Sequence, residues 1–169
     1  MGWEHLANLL RQFTGAGMIL QAPYVQSGPH SAVIGALKVL VQATTPTERM
    51  EAISALESAM AEFPQVEQPL NHHFNEGQYA REIFNPKGSL IITKTHKQGN
   101  FSFIPAGKLL VISEEGQREL STGQFFATKP GTKRFIYALE DTRFVTIHPN
   151  PDNCEDLQIL ESRIIGGSV

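Results

Sequence analysis

The chain has 169 residues, 41% of them hydrophobic, and 14 Lys/Arg against 17 Asp/Glu give a net charge of −3. That length suits one compact domain or a domain with an appendage, and the small net charge gives no general argument for nucleic-acid or membrane binding. A single cysteine, Cys154, excludes an intrachain disulfide and fits a reducing compartment.

The charge is unevenly spread. Residues 1–70 hold three basic and six acidic side chains, residues 71–150 hold ten and seven, and residues 151–169 hold one and four. A mildly basic middle is thus flanked by acidic ends. The N-terminus has no basic start followed by an apolar run, so no secretory signal is expected. The longest apolar run, "AVIGALKVLV" at 32–41, is too short to cross a bilayer and contains Lys38. The sequence reads as a soluble cytoplasmic protein.

The first third, residues 1–69, reads as about three helices. "WEHLANLLRQF" places Trp3, Leu6, Leu10 and Phe13 at helical spacing, and Gly15, Gly17 and Pro23 break it. A second stretch at 31–43 puts Val33, Ile34, Leu37, Leu40 and Val41 on one face. "TTPTERMEAISALESAMAEF" predicts the clearest helix. Thr45 is its N-cap, Pro46 suits the first turn, and Glu48 completes a capping box. Met50, Ile53, Leu56, Met60 and Phe63 form its apolar stripe, packing on a core or a second subunit.

From about Tyr79 the chain turns to short β-rich runs: "QYAREIF", "SLIITKTHK", "FSFIP", "KLLVIS", "FFATK", "RFIYAL" and "RFVTIH". Turn residues separate them, and seven or eight short strands at this spacing predict a sandwich or small barrel over 70–150. The tail at 151–169 reads as a short helix with Leu157, Leu160 and Ile164 on one side. The fold class is mainly β with a helical N-terminal extension.

"GSLIITKTHKQGNFSFIPAG" at 88–107 has the spacing of a metal motif. Gly88 is followed by five residues, Lys94-Thr95-His96, three residues, Asn100, six residues and Gly107. A second frame starts at Gly123 and passes through Lys129-Pro130-Gly131 to Arg134 and Ala138. These two glycine-punctuated frames resemble those of the cupin superfamily, whose fold is a double-stranded β-helix barrel. "HHF", "YAREIF", "PGTKR", "YALEDT" and "TIH" also look like a group of small cupin-like proteins encoded by tailed bacteriophages, which would place the chain in a host cytoplasm.

In metal-binding cupins three histidines and a glutamate hold one cation. The matching positions here are Lys94, His96, Asn100 and Arg134. Only His96 is a good ligand, because an arginine stays protonated and a protonated lysine repels a cation. No cofactor and no usual cupin metal site are therefore expected. The same residues suit an anion. If the Leu90, Ile92, Lys94, His96 face lines the barrel, Arg134 converges on it from another strand, and Asn100 can donate a further hydrogen bond. Tyr79 and Arg81 share a strand face and either reach the pocket or pack on the helices. The plain alternative is a barrel with structural charges only, in which Lys94 snorkels to solvent and Arg134 pairs with Glu82, Glu140 or Asp141.

A metal site rebuilt from His96, His72 and His73, with Glu76 nearby, is a further alternative; paired histidines in a turn are otherwise merely solvated. His148, at the end of the last strand, is read as making a structural hydrogen bond. Three functions stay open. The first is a binding protein for an anionic small molecule, a nucleotide or phosphate ester, which in a bacteriophage would sequester a host nucleotide signal. The second is an enzyme, either metal-free with Lys94, His96 and Arg134 as acid/base and anion clamp or metal-dependent through the extra histidines. The third is a virion building block. The apolar helical stripes exceed what one small barrel covers, and cupins commonly pair, so a homodimer or larger homo-oligomer is expected.

Overall fold

The computed structural model describes residues 30–65 and 68–166. The helix expected over Trp3–Phe13 lies outside the described residues. Two helices come first, α1 (His30–Gln42) and α2 (Pro46–Ala61). Nine strands follow: β1 (Leu70–Asn75), β2 (Gly77–Asn85), β3 (Leu90–Ile92), β4 (Asn100–Ala106), β5 (Lys108–Ser113), β6 (Gly116–Ser121), β7 (Phe125–Thr128), β8 (Phe135–Ala138) and β9 (Thr142–Asn150). A last helix, α3 (Leu157–Ile164), closes the chain.

The strands form two antiparallel sheets, β1-β2-β9-β4-β7 and β3-β8-β5-β6. Their pairing is nested. β5 pairs β6, β4 pairs β7, β3 pairs β8 and β2 pairs β9, with successive pairs falling in alternate sheets. One long antiparallel ribbon has folded back on itself and wound between two layers. This is a double-stranded β-helix, the architecture that the glycine frames suggested. Gly107 makes the β4–β5 turn possible. It sits at φ +93°, and a Cβ there would lie 2.3 Å from the Asp141 carbonyl oxygen.

Strand alternation sorts the core into two layers. Leu109, Val111, Leu120, Ile136 and Ala138 point between the sheets and meet Ile104 and Phe144. Leu110, Ile112 and Phe135 point the other way, onto α1 and α2. Val33, Leu37 and Leu40 of α1 and Ala52, Ile53 and Leu56 of α2 bury against them. The capping box forms as expected: Glu48 N donates to Thr45 Oγ1, and the Glu48 carboxylate accepts from Thr45 N. The bond from Thr45 N, and next that from Thr44 N, also hold the Glu48 carboxyl below its ordinary pKa.

Two expectations change. "NHHFNEG" is no loop: β1 and β2 make a hairpin with His72 opposite Arg81 and Phe74 opposite Tyr79. His72 and His73 therefore point to opposite faces. The face of Leu90 and Ile92 packs against the helix-covered cluster, while Ile91 joins the interior between the sheets. The sequence reading had these faces reversed, because the helices give β3 an apolar outer surface as well as an apolar inner one.

Candidate anion-binding site

The inner face of the five-stranded sheet is graded from apolar to polar. Ile83, Phe144, Ile104 and Phe126 lie at or beside the interior core. Further along the same strands, at inward positions two or four residues away, come Arg81 and Tyr79 on β2, Thr146 and His148 on β9, Ser102 and Asn100 on β4, and Thr128 on β7. Register holds them together: Arg81 is opposite Thr146, Tyr79 opposite His148, Ser102 opposite Thr146 and Phe126, and Asn100 opposite Thr128. From the other sheet Arg134 enters at the inward position preceding β8, two residues before Ile136. Backbone bonds in both directions with Thr93 fix it there: Thr93 N donates to Arg134 O, and Arg134 N donates to Thr93 Oγ1.

A continuous polar chain crosses this interior. Asn100 Nδ2 lies 2.7 Å from His96 Nδ1. Ser102 Oγ donates to Asn100 Oδ1 at 3.2 Å and lies 3.1 Å from Thr128 Oγ1. The Arg134 guanidinium donates to the same Thr128 oxygen at 3.1 Å. Asn100, Ser102, Thr128, Thr146, His148 and Arg134 are all buried. The His96 ring meets His148 edge-on at 5.0 Å, Tyr79 stacks on His148 at 6.1 Å, and the Tyr79 hydroxyl is 2.8 Å from His72 Nδ1.

Positive charge dominates the electrostatics, with Glu161 of α3 acting on Tyr79 and Arg81 and Glu115 acting on Arg134 from a distance. Burial, and then the charges of Arg81 and Arg134, lower the His96 pKa to about 4. Burial, His96 and Arg81 lower that of His148 to about 4. Both rings are neutral near pH 7. His72 shifts down by burial, Arg81 and His73, and burial raises the Tyr79 phenol. Arg134 is 9% exposed, and its pKa is pulled down to about 10 by burial first and by Arg118 second. Among the described residues no carboxylate pairs with Arg134 or Arg81, and Arg81 Nε is buried without a hydrogen-bond partner. A cavity of about 480 Å³ lies against the outward side of the same sheet end, walled by Phe101, Ala127 and Ile147, whose positions alternate with the inward ones, and it also touches Asn100, Thr128 and His148.

Of the residues expected at the site, His96, Asn100, Arg134, Tyr79 and Arg81 come together and Lys94 does not. Strand β3 ends at Ile92, so the two-residue alternation does not extend to Lys94, whose side chain is 67% exposed and binds Glu161 of α3 at 2.7 Å. The acid/base trio Lys94, His96 and Arg134 is therefore not assembled. Nor does Arg134 pair with Glu82, Glu140 or Asp141. Glu82 binds Arg143 and His73 on the outer face, and Asp141 accepts from Lys87 N. That pairing sends His73 away from His96, and among the described residues no three His, Cys, Asp or Glu side chains are grouped to hold a metal ion. The sequence reading missed Ser102, Thr128 and Thr146 and gave His148 only a structural bond. The signal was available: in "FVTIH" and "FSF" a small polar residue sits at the inward step between apolar ones.

The polar end has a cover. His96 bridges to Ile165, Gly166 N donates to Thr95 O, and Lys97 N donates to Ile164 O. Asp156 caps α3 through Gln158 N and Ile159 N. Leu160 is buried beneath the helix.

No protein-family model and no curated protein matches the chain. Solved structures similar to it include a cupin-2 domain protein from Shewanella frigidimarina, at 13% identity and TM-score 0.40 over 56% of this chain and 91% of that one. A double-stranded β-helix protein from Klebsiella pneumoniae gives 14% identity and TM-score 0.44 over 54% and 84%. KdgF from a Halomonas species gives 18% identity and TM-score 0.43 over 55% and 86%.

Proposed function

We propose that the chain is a cupin-type binding protein whose interior holds a small anionic molecule, a phosphate ester or a carboxylate, without a metal. The observation that carries this reading is Arg134: a buried guanidinium bonded to a neutral threonine hydroxyl and to no carboxylate among the described residues. Burying a charge is costly unless it is paired. An anion entering beside Thr128 supplies the missing partner, and arginine offers it a bidentate fork. Arg81 adds a second positive charge near His96 and His148. His96, Asn100 and Ser102 complete a wall of neutral groups that orients the ligand without repelling it. Within this reading, sequestration of a nucleotide in a bacteriophage setting is the finer proposal.

The test is native mass spectrometry of the purified protein, with thermal shift against a panel of inorganic phosphate, mononucleotides, cyclic nucleotides and dicarboxylates. At a ligand concentration a hundred times Kd, binding adds about 2.7 kcal/mol, enough to raise Tm by several degrees, and Arg134→Met removes the shift. A chain of bare mass that no anion stabilises overturns the reading and favours a building-block role. A stoichiometric metal overturns its metal-free part.

A further inference from the structure

We infer that the anion site extends to Arg118 and that its ligand carries two linked anionic groups; this rests on the anion-binding reading above. β6 is an edge of one sheet and β7 an edge of the other. Arg118 on β6 stands opposite Val111, an interior residue, so it occupies an inward position although it is exposed. Phe126 on β7 is opposite the buried Ser102 and also points inward. The two side chains meet across the seam, with the Arg118 guanidinium 4.9 Å from the centre of the Phe126 ring. The Arg134 guanidinium lies 5.8 Å from the centre of the same ring.

Two like charges thus share one aromatic ring. Glu115, an acid whose charge acts on both, is committed elsewhere: it binds Lys129 at 3.1 Å, linking the turn before β6 to the segment after β7. Glu115 interacts electrostatically with both arginines, yet no hydrogen bond to either guanidinium is formed among the described residues. A ring face attracts a cation and its edge attracts an anion. The seam between β6 and β7 therefore offers one anionic group a place at Arg134 and Thr128, and a second, linked group a place at Arg118. A single phosphate fills only the inner position. A diphosphate fills both.

Isothermal titration with inorganic phosphate and with pyrophosphate tests this. The wild type is expected to bind pyrophosphate at least about tenfold more tightly than phosphate, the scale of one added charge-assisted contact. Arg118→Ala should abolish that preference and leave phosphate affinity within about twofold. Arg118→Lys should restore part of it, which guards against a merely misfolded alanine variant. Equal affinity for the two probes in the wild type, or a preference that survives Arg118→Ala, overturns the inference while leaving the inner site standing. An inward charge on an edge strand can also serve to block edge-to-edge pairing. If Arg118→Ala changes only the oligomeric state in light scattering, that role replaces the one inferred. If neither probe binds, this inference falls together with the phosphate form of the anion-binding reading.

Discussion

Replacing Arg134 by methionine should stabilise the protein while abolishing anion binding. Methionine has similar length and flexibility and fills the space without charge. Burial and Arg118 pull the guanidinium from its ordinary pKa of 12.5 to about 10, a penalty on the charged form of about 3 kcal/mol. Against this stand two losses. The bond to Thr128 contributes about 1 kcal/mol and the contact with Phe126 about 0.5–1 kcal/mol. Thr128 keeps Ser102 as a partner at 3.1 Å, and the backbone bonds to Thr93 do not involve the replaced side chain. The balance favours methionine by about 1 kcal/mol, which for a domain of this size raises Tm by about 2–4 °C. The assay is differential scanning calorimetry of both proteins without ligand, paired with phosphate titration. A folded variant whose Tm falls by several degrees would refute the reasoning, since the charge would then be supported by the fold rather than held for a ligand.

Acid should weaken the fold through His96 and His148. Both rings are held at about 4 in the folded state and return to about 6.5 on unfolding. The unfolded chain therefore takes up protons first, so the stability is full above about 6.5 and drains away as pH falls towards 4. A full shift corresponds to about 3 kcal/mol per ring, and urea midpoints at pH 7.5, 5.5 and 4.5 would show it; a flat profile contradicts neutral burial. Gly107→Ala should cost 3 kcal/mol or more, on the order of the largest single-substitution effects, because φ is +93° and the new Cβ meets the Asp141 carbonyl at 2.3 Å. A chemical melt within 1 kcal/mol of wild type, roughly the scatter of ordinary surface changes, would contradict that close approach. Lys94→Ala should leave phosphate affinity unchanged and cost under about 1 kcal/mol, as exposed ion pairs do; lost binding would return Lys94 to the site.

The sequence announced the fold through its turns. Glycines at 88, 107, 116, 123 and 131 all adopt positive φ, and the two frames built on four of them pointed to the double-stranded β-helix. Strands with clear apolar content were legible for the usual reason, alternation against a half-buried surface. The two strands that were missed, β1 ("LNHHFN") and β6 ("GQRELS"), are both sheet edges. An edge strand gives one lateral side to solvent and is kept polar, so it lacks the composition that marks a strand. The site was legible where the chain is regular. Arg81 and Tyr79 were read as sharing a face of a strand that exists, with the pocket and the helices both open to them, and Arg134 came from the second glycine frame. Lys94 was misplaced because counting continued past Ile92, where the strand stops and the chain bends to meet α3.

That misplacement narrows what the interior can do. With Lys94 outside, the described interior holds no amine, and its imidazoles are neutral near pH 7. Its fixed charge is guanidinium alone, at Arg81, at Arg134 and, in the seam, at Arg118. Guanidinium does not exchange protons at neutral pH, so in the proposed reading these residues hold an anion, and they are poor agents for proton transfer. The neutral rings of His96 and His148 are the groups able to move a proton, and the arginines beside them oppose their protonation. An arrangement that keeps its charges fixed and its titratable groups neutral is better suited to retaining an anion than to turning one over. That division of roles favours binding over catalysis in the proposed reading, and it becomes visible once Lys94 is paired with Glu161 on the surface.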